Sequence, residues 1–117
     1  MPSRESIDRI RDILAAIKRI EKRTAEVNFS EFEANDTIAN ACLYDFMIIG
    51  EAAINIDTEL KTYYSQIPWR LMGDMRNVIA HEYFQVELDI VWHTIQNYLP
   101  PLIPQLEAIL QQEGVIE

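Results

Sequence analysis

The sequence predicts an all-α protein, an up-and-down bundle of four or five helices that forms a single domain over residues 1–117. The chain has 117 residues, of which 49% are apolar and 25% charged, a composition typical of one globular domain. It contains three glycines and no Asn-Gly or Asp-Gly turn, which disfavours a β-rich fold. Apolar residues instead recur at helical intervals, and short connections between the segments favour antiparallel neighbours.

The first helix is predicted from Arg4 to Arg23, with Ser3 as its N-cap. Its apolar residues lie three or four positions apart, which places them on one stripe: Ile7, Ile10, Leu14 and Ile17.

A second helix is predicted to begin at Ser30, because Ser30 and Glu33 have the spacing of a capping box. Its apolar pattern continues toward Leu60, and its length favours a break near Asp36.

The positions of proline and glycine predict where the last helices begin and end. Pro68 fits the first turn of a helix that ends at His81. Residues 85–86 are expected to connect it to a helix over 87–98, and a final helix is predicted over 101–112, with Gly114 as its stop.

Charge is unevenly distributed along the chain. The net charge of −9 argues against a protein that coats DNA or an anionic membrane through bulk charge. Residues 1–23 nevertheless hold seven of the ten basic residues. One face of the first helix is basic, and we interpret it either as a solvated face or as a strip that contacts RNA: Arg4, Arg11, Lys18 and Lys22.

Cys42 is the single cysteine, which excludes an intramolecular disulfide and favours a reducing, cytoplasmic compartment. Acidic residues interrupt the most apolar region, so no membrane span is predicted, and the N-terminus is too charged for a signal peptide.

The second helix has more apolar surface than a small bundle can cover, which favours a homodimer. This surface is spread around the helix: Leu43, Phe46, Met47, Ile48, Ile49 and Ile54.

The chain has no phosphate-binding glycine loop, no HExxH, no GxSxG and no zinc-type cluster of cysteine and histidine. The polar pattern that stands out is RNxxxHxY at the end of the helix over 68–81, formed by Arg76, Asn77, His81 and Tyr83. All four side chains could border one cleft.

Each motif residue alone has an ordinary structural explanation, such as an ion pair for Arg76 or ring packing for Tyr83. Together they suit RNA cleavage by internal attack, which needs a base, an acid and a cation and no metal. His81 cannot easily be both base and acid, and we expect His93, on a separate helix, to be structural. A symmetric dimer would supply a second His81.

The ordered set of motifs resembles the HEPN superfamily, and more narrowly its HepT-type toxins, over nearly the whole chain. Besides RNxxxHxY, the resemblance includes these segments: 49–53 (IGEAA), 67–69 (IPW), Gly73 with Met75, 83–84 (YF), 91–92 (VW) and 99–100 (LP).

The resemblance implies an endoribonuclease with Arg76 and His81 as the catalytic pair and Asn77 as their supporting residue. It further implies the toxin half of a prokaryotic toxin-antitoxin pair. Its partner, an MntA-like minimal nucleotidyltransferase, would use ATP and magnesium to attach AMP to Tyr83, while the chain itself needs no cofactor. Glu51 is a further candidate, either to orient Arg76 or contact a partner, or as half of a buried ion pair.

Two other interpretations remain open at this point. The chain could be a non-catalytic helical module that docks on a nucleotidyltransferase, or a structural dimer in which RNxxxHxY is only a polar helix end. An intact set of four motif residues favours the toxin.

Overall fold

The computed structural model describes residues 3–114, and within that range the fold is entirely helical. The predicted all-α class is therefore confirmed. The described helices are α1 (Arg4–Thr24), α2 (Phe29–Ala34), α3 (Asp36–Ile54), α4 (Thr58–Tyr63), α5 (Trp69–His81), a 3-10 turn (Tyr83–Gln85), α6 (Leu88–Asn97) and α7 (Leu102–Gln112).

Helix α1 forms as the sequence predicts. The Ser3 hydroxyl accepts a hydrogen bond from the backbone N–H of Ser6 at 3.1 Å, which satisfies one of the free donors of the first turn. All four residues of the predicted apolar stripe are buried in the core. The burial of this stripe fixes which face of α1 meets the rest of the protein.

The predicted second helix is in fact three helices. The capping box that starts α2 is formed by Asn28 and Glu31, two residues before the predicted pair, and Ser30 lies inside the helix. The predicted break near Asp36 is present, because Asn35 ends α2 and its side chain caps α3. Helix α3 then ends at Ile54, so the predicted continuation to residue 60 is wrong.

The last three main helices match their predicted positions within one residue. Pro68 is the N-cap of α5 and not its first residue, and α6 and α7 each begin one residue later than predicted. Gly114 follows the end of α7 with φ +76°, a backbone angle that glycine adopts without strain, so the predicted stop is confirmed. Gln85 belongs to the 3-10 turn, which leaves Val86 as the extended connector.

Helix α3 is the centre of the bundle and packs mainly against α1 and α5. Its closest approach to α5 is at Gly50, where an added Cβ would lie only 2.1 Å from Arg76 Cβ. Only glycine allows the two backbones to come this close. This contact sets where Arg76 lies relative to α3.

A buried ion cluster joins α1 to α3. Asp45 is 1% exposed, and its carboxylate accepts hydrogen bonds from Arg19 Nη2 at 2.7 Å and from Arg23 Nη1 at 3.0 Å. Two guanidinium groups thus compensate one carboxylate that the fold removes from water. Asp45 is one of the acidic residues that interrupt the apolar region of the sequence, and its spacing does not predict this pairing.

Helix α3 is long and apolar enough to span a membrane by length and composition alone. Half of that segment is buried inside the protein, and core helices of soluble proteins can be as long and as apolar. We therefore interpret α3 as a core helix.

Candidate functional site

The Arg76 side chain projects from α5 toward α3. The missing side chain of Gly50 makes room for the Cβ and Cγ of Arg76, which would lie 2.1 and 3.0 Å from a Cβ built at that position. The arginine stem is therefore held between two helix backbones. Its guanidinium remains within reach of ligands, since the side chain is 30% exposed.

Two neighbours fix the direction of this guanidinium. Glu51 Oε2 on α3 lies 3.2 Å from Arg76 Nε, an ion pair whose angle does not make a hydrogen bond. Arg76 Nη1 donates a hydrogen bond to Asn77 Oδ1 at 3.0 Å. The Glu51 side chain is 57% exposed, so the alternative of a buried ion pair is wrong, while the expected contact with Arg76 is present.

His81 is the last residue of α5 and its ring is exposed to solvent. It lies one helical turn after Asn77, and the two side chains share a face of α5. Arg76 lies about 140° around the helix from His81, at about 100° per residue. Within residues 3–114, no hydrogen bond joins His81 to Arg76.

Tyr83 lies in the 3-10 turn after α5, because the helix ends at His81. Its hydroxyl donates a hydrogen bond to Asn40 Oδ1 at 2.8 Å, and its ring meets Phe84 edge-on at 5.5 Å. The side chain of Tyr83 is 43% exposed. Asn40 precedes Gly50 by ten residues of α3, so Tyr83 and Arg76 contact points about 15 Å apart on that helix.

One chain therefore assembles part of the motif. It brings Arg76, Asn77 and Glu51 into contact and leaves His81 exposed at the edge of this group. Tyr83 is held by Asn40 at a different level of α3. The predicted convergence of all four side chains on one cleft is therefore not seen within a single chain.

His93 lies on α6 as expected, apart from the motif. Its Nδ1 is 3.1 Å from the side-chain nitrogen of Asn97, and its ring meets Tyr98 edge-on at 5.5 Å. These contacts are all with neighbouring residues of the same segment, as expected for a structural histidine.

Among the described residues, no group of three His, Cys, Asp or Glu side chains could hold a metal ion.

The predicted basic face of α1 is exposed and partly paired. Arg11 Nη1 lies 3.3 Å from Asp8 Oδ1, and Lys18 Nζ lies 3.4 Å from Glu107 Oε2. Such exposed pairs are weak, yet they reduce the local positive potential. This arrangement favours the interpretation as a solvated face.

The apolar surface of α3 is covered only in part by the chain itself. Leu43, Phe46 and Ile49 are buried within the protein, so the prediction that they add uncovered apolar surface is wrong. The surface that remains is formed by Tyr44 and Ile54, which are 68% and 46% exposed, and by Met47 and Ile48, which are half-buried.

A groove of about 640 Å³ lies between α5, the 3-10 turn and α6. Arg76 is not among the residues that line it. Its walls are mostly apolar and include the exposed side chains of Leu71, Val78 and Ile90. Three carboxylates also line it, from Asp74, Glu82 and Glu87.

Comparisons with known proteins identify the family. The family model described as "Ribonuclease HepT-like" matches residues 13–109. The chain is 35% identical over 102 residues to a Thermococcus cleftensis protein named "Probable ribonuclease HepT", which covers 87% of this chain and 93% of that protein.

Two further relatives carry ribonuclease names. A Caldanaerobacter subterraneus subsp. tengcongensis protein named as a "Putative RNase" is 34% identical over 101 residues, 86% of this chain and 90% of its own. A Methanocaldococcus jannaschii protein with the same kind of name is 30% identical over 111 residues, 95% and 92% of the two chains. No solved structure matches the chain significantly. The chain therefore belongs to the ribonuclease HepT-like family.

Proposed function

We propose that this protein is the toxin of a prokaryotic toxin-antitoxin pair, a cytoplasmic endoribonuclease that acts as a homodimer without a metal ion. One observation supports the proposal most directly: Arg76 is fixed between α3 and α5 by Gly50, Glu51 and Asn77 while its guanidinium stays accessible. A rigid, accessible guanidinium fork suits a phosphodiester, since it is always charged and matches phosphate oxygens.

The proposed chemistry is internal attack by the ribose 2′-hydroxyl. A base removes the hydroxyl proton, the oxygen forms a bond to phosphorus, and the bond from phosphorus to the 5′-oxygen breaks. An acid returns a proton to that leaving oxygen, and a cyclic phosphate remains. Arg76 would stabilise the charge that develops on the phosphorane, and the imidazole of His81 would accept or donate the proton.

A homodimer would provide the second proton-transfer group. One His81 would act as base and His81 of the partner subunit as acid. The exposed surface of α3 supports such an interface, because Tyr44 and Ile54 are 68% and 46% exposed, and Ile54 lies against Gly73 of α5, the helix that carries Arg76. Packing of two such surfaces would bury the apolar side chains and place both Arg76 groups near the interface.

The mass of the protein in solution tests the dimer. Sedimentation at micromolar concentration should give twice 13.6 kDa. Tyr44→Glu should shift the mass to that of one chain and remove cleavage, whereas Tyr63→Glu, on a tyrosine of α4 with the same 68% exposure, should leave the dimer intact. A single-chain mass for the unaltered protein would contradict the dimer.

Cleavage assays test the catalytic roles with matched controls. Arg76→Ala and His81→Ala should each reduce RNA cleavage by roughly a hundredfold or more in the presence of a chelator. Arg70→Ala on the exposed side of α5 and His93→Ala on α6 should change it little, since neither contacts the proposed site. Equal activity of His81→Ala and the unaltered protein would contradict the proposal.

We further propose that a partner nucleotidyltransferase neutralises the toxin by transferring AMP from ATP to Tyr83. The phenol oxygen would form a bond to the α-phosphorus, pyrophosphate would leave, and the phenol proton would pass to a base. Tyr83 is accessible for this reaction, and the Asn40 side chain that accepts its hydrogen bond is also exposed. The added phosphate would bring negative charge to the turn that follows His81, where it could compete with RNA.

Intact-mass measurement tests this modification. After incubation with the transferase, ATP and magnesium, the unaltered toxin should gain AMP and Tyr83→Phe should not. Tyr98→Phe, at a tyrosine that directly follows α6 and is 61% exposed, should still be modified. Expression of the toxin alone should arrest growth, and co-expression of the transferase should restore it only when Tyr83 is present.

The second candidate is the non-catalytic docking module. The apolar groove between α5 and α6, with its three carboxylates, favours docking on a partner that presents apolar and basic side chains. The two functions differ in one measurement, because a docking module would bind the transferase without cleaving RNA.

A further inference from the structure

A small pocket separates α1 from the exposed face of α3. It has a volume of about 370 Å³. Glu51, one of its lining residues, also forms the ion pair with Arg76, so the pocket and the candidate site share a side chain. The pocket is lined by Arg9, Asp12, Met47, Ile48, Glu51 and Ala52.

Arg9 is the unusual residue of this pocket. Its side chain is half-buried, and its Nε is shielded from solvent without a hydrogen-bond partner. Within residues 3–114, Arg9 forms no salt bridge, although the chain has nineteen acidic residues against ten basic ones. The carboxylate of Glu51, in the same pocket, is paired with Arg76 instead. A cation that is partly withdrawn from water and left without a counter-ion favours the binding of an anion.

The rest of the pocket suits the other parts of a nucleotide. Met47, Ile48 and Ala52 form an apolar surface on which a base can lie. Asp12 and Glu51 also line the pocket, and their carboxylates oppose any phosphate that Arg9 does not hold directly. A pocket for a simple anion would not need the apolar surface.

We propose that this pocket binds a nucleotide of single-stranded RNA next to the one cleaved at Arg76, with Arg9 holding its phosphate. The inference rests on the proposed ribonuclease function and adds a binding subsite on α1. Arg9 on α1 and Arg76 on α5 both adjoin Glu51 of α3 and would hold successive parts of one RNA strand. This arrangement gives an acidic protein a second arginine contact with the RNA beside its cleavage site.

RNA binding tests the subsite separately from cleavage. Binding of single-stranded RNA is measured by fluorescence anisotropy with full-length His81→Ala protein, which should bind RNA without cutting it. Adding Arg9→Ala should weaken binding roughly tenfold, because a charge-assisted phosphate contact is lost. The slope of log affinity against log salt should also fall by about 0.7.

Arg11→Ala is the matched control, since Arg11 lies on the same helix, is exposed and pairs with Asp8. It should change affinity by roughly twofold or less. In the catalytically intact protein, Arg9→Ala should raise KM and leave kcat nearly unchanged. Equal effects of Arg9→Ala and Arg11→Ala on binding and salt dependence would overturn the inference.

A second variant covers the case in which Arg9→Ala fails to fold. Asp12→Asn removes a negative charge from the pocket at an exposed position and should strengthen RNA binding several-fold, whereas Asp8→Asn should not. No difference between these two would also overturn the inference. So would a change in sedimentation mass for folded Arg9→Ala, because the pocket would then be a contact between subunits.

The outcomes distinguish the subsite from the proposed function. If the unaltered protein neither binds nor cleaves RNA, the ribonuclease proposal fails. If the unaltered protein cleaves RNA but Arg9→Ala behaves as Arg11→Ala does, only the subsite fails.

Discussion

Glu51 Oε2 lies 3.2 Å from Arg76 Nε across the contact between α3 and α5. The pair is substantially exposed, so its contribution to stability is small, about 1 kcal/mol or less. The ion pair matters because it orients the Arg76 guanidinium. A guanidinium that is also bonded to Asn77 is left with few orientations, and such preorganisation favours binding and charge stabilisation at a phosphorane.

Glu51→Gln should therefore separate positioning from stability. We expect kcat for RNA cleavage to fall several-fold, because the charge that orients Arg76 is lost, while KM does not rise, because a carboxylate that repels RNA is also removed. Urea unfolding should change by less than about 1 kcal/mol. Glu59→Gln, on α4, is the control, and an unchanged kcat for Glu51→Gln would contradict a positioning role.

Gly50→Ala should disturb the same contact through the backbone. The new methyl group would lie 2.1 Å from Arg76 Cβ and 2.7 Å from Met72 O, so α3 and α5 must move apart. Alanine gains about 1 kcal/mol of helix propensity, but overpacking typically costs about 1–3 kcal/mol, and this clash involves backbone. We expect a net loss of stability in urea unfolding together with reduced cleavage.

Gly73→Ala provides the comparison for that substitution. Its nearest neighbour would be Ile54 Cγ1 at 3.0 Å, which a small shift of one side chain can relieve. The loss of stability should be clearly smaller than for Gly50→Ala. Equal unfolding midpoints for the two variants would show that the close approach at Gly50 is not constraining.

Asp45→Asn should destabilise the protein by about 2 to 3 kcal/mol. Breaking a buried ion pair costs about 3–5 kcal/mol, and the partial exposure of Arg19 and Arg23 reduces this figure because solvent can reach the freed guanidinium groups. Urea unfolding measures the effect. Asp8→Asn breaks an exposed pair on α1 and should cost less than about 1 kcal/mol.

Cys42 should be unreactive in the folded protein. Burial raises the pKa of its thiol, and the nearby Arg23 guanidinium opposes this effect. Because the thiolate is the reactive form and the pKa is raised, labelling with a disulfide reagent should increase only at a higher pH than for a free thiol. The same protein in denaturant is the control, and equal labelling rates in the two states would contradict the prediction.

The sequence predicts the long helices well because each carries several turns of apolar periodicity. Ser3 and Gly114 mark true ends because capping is a local interaction. The helices α2 and α4 have six residues each, less than two turns, and this is too short for periodicity to separate them from a longer neighbour. The predicted capping box at Ser30 is wrong because Asn28 forms it two residues earlier. Asn28 is a strong N-cap, but it lies before the start of the apolar pattern.

The sequence predicts the candidate site less well than the helices, because residues that are far apart in the chain form the contacts of the site. The contact between Glu51 and Arg76 was expected, but Tyr83 and Asn40 are 43 residues apart, and no spacing rule joins them. No pattern in the sequence singles out Arg9, which is not part of the predicted basic face of α1. Its lack of a counter-ion among the described residues emerges only when α1 is packed against α3.

The basic N-terminal segment has a consequence for how the protein meets its substrate. Residues 1–23 carry a net positive charge, while the remainder of the chain is strongly acidic, so the net positive charge is concentrated in the segment that forms α1. A polyanion would attract this helix and repel the rest of the protein before any contact forms. An encounter with RNA would then begin at the N-terminal helix, and the collision itself would already be oriented.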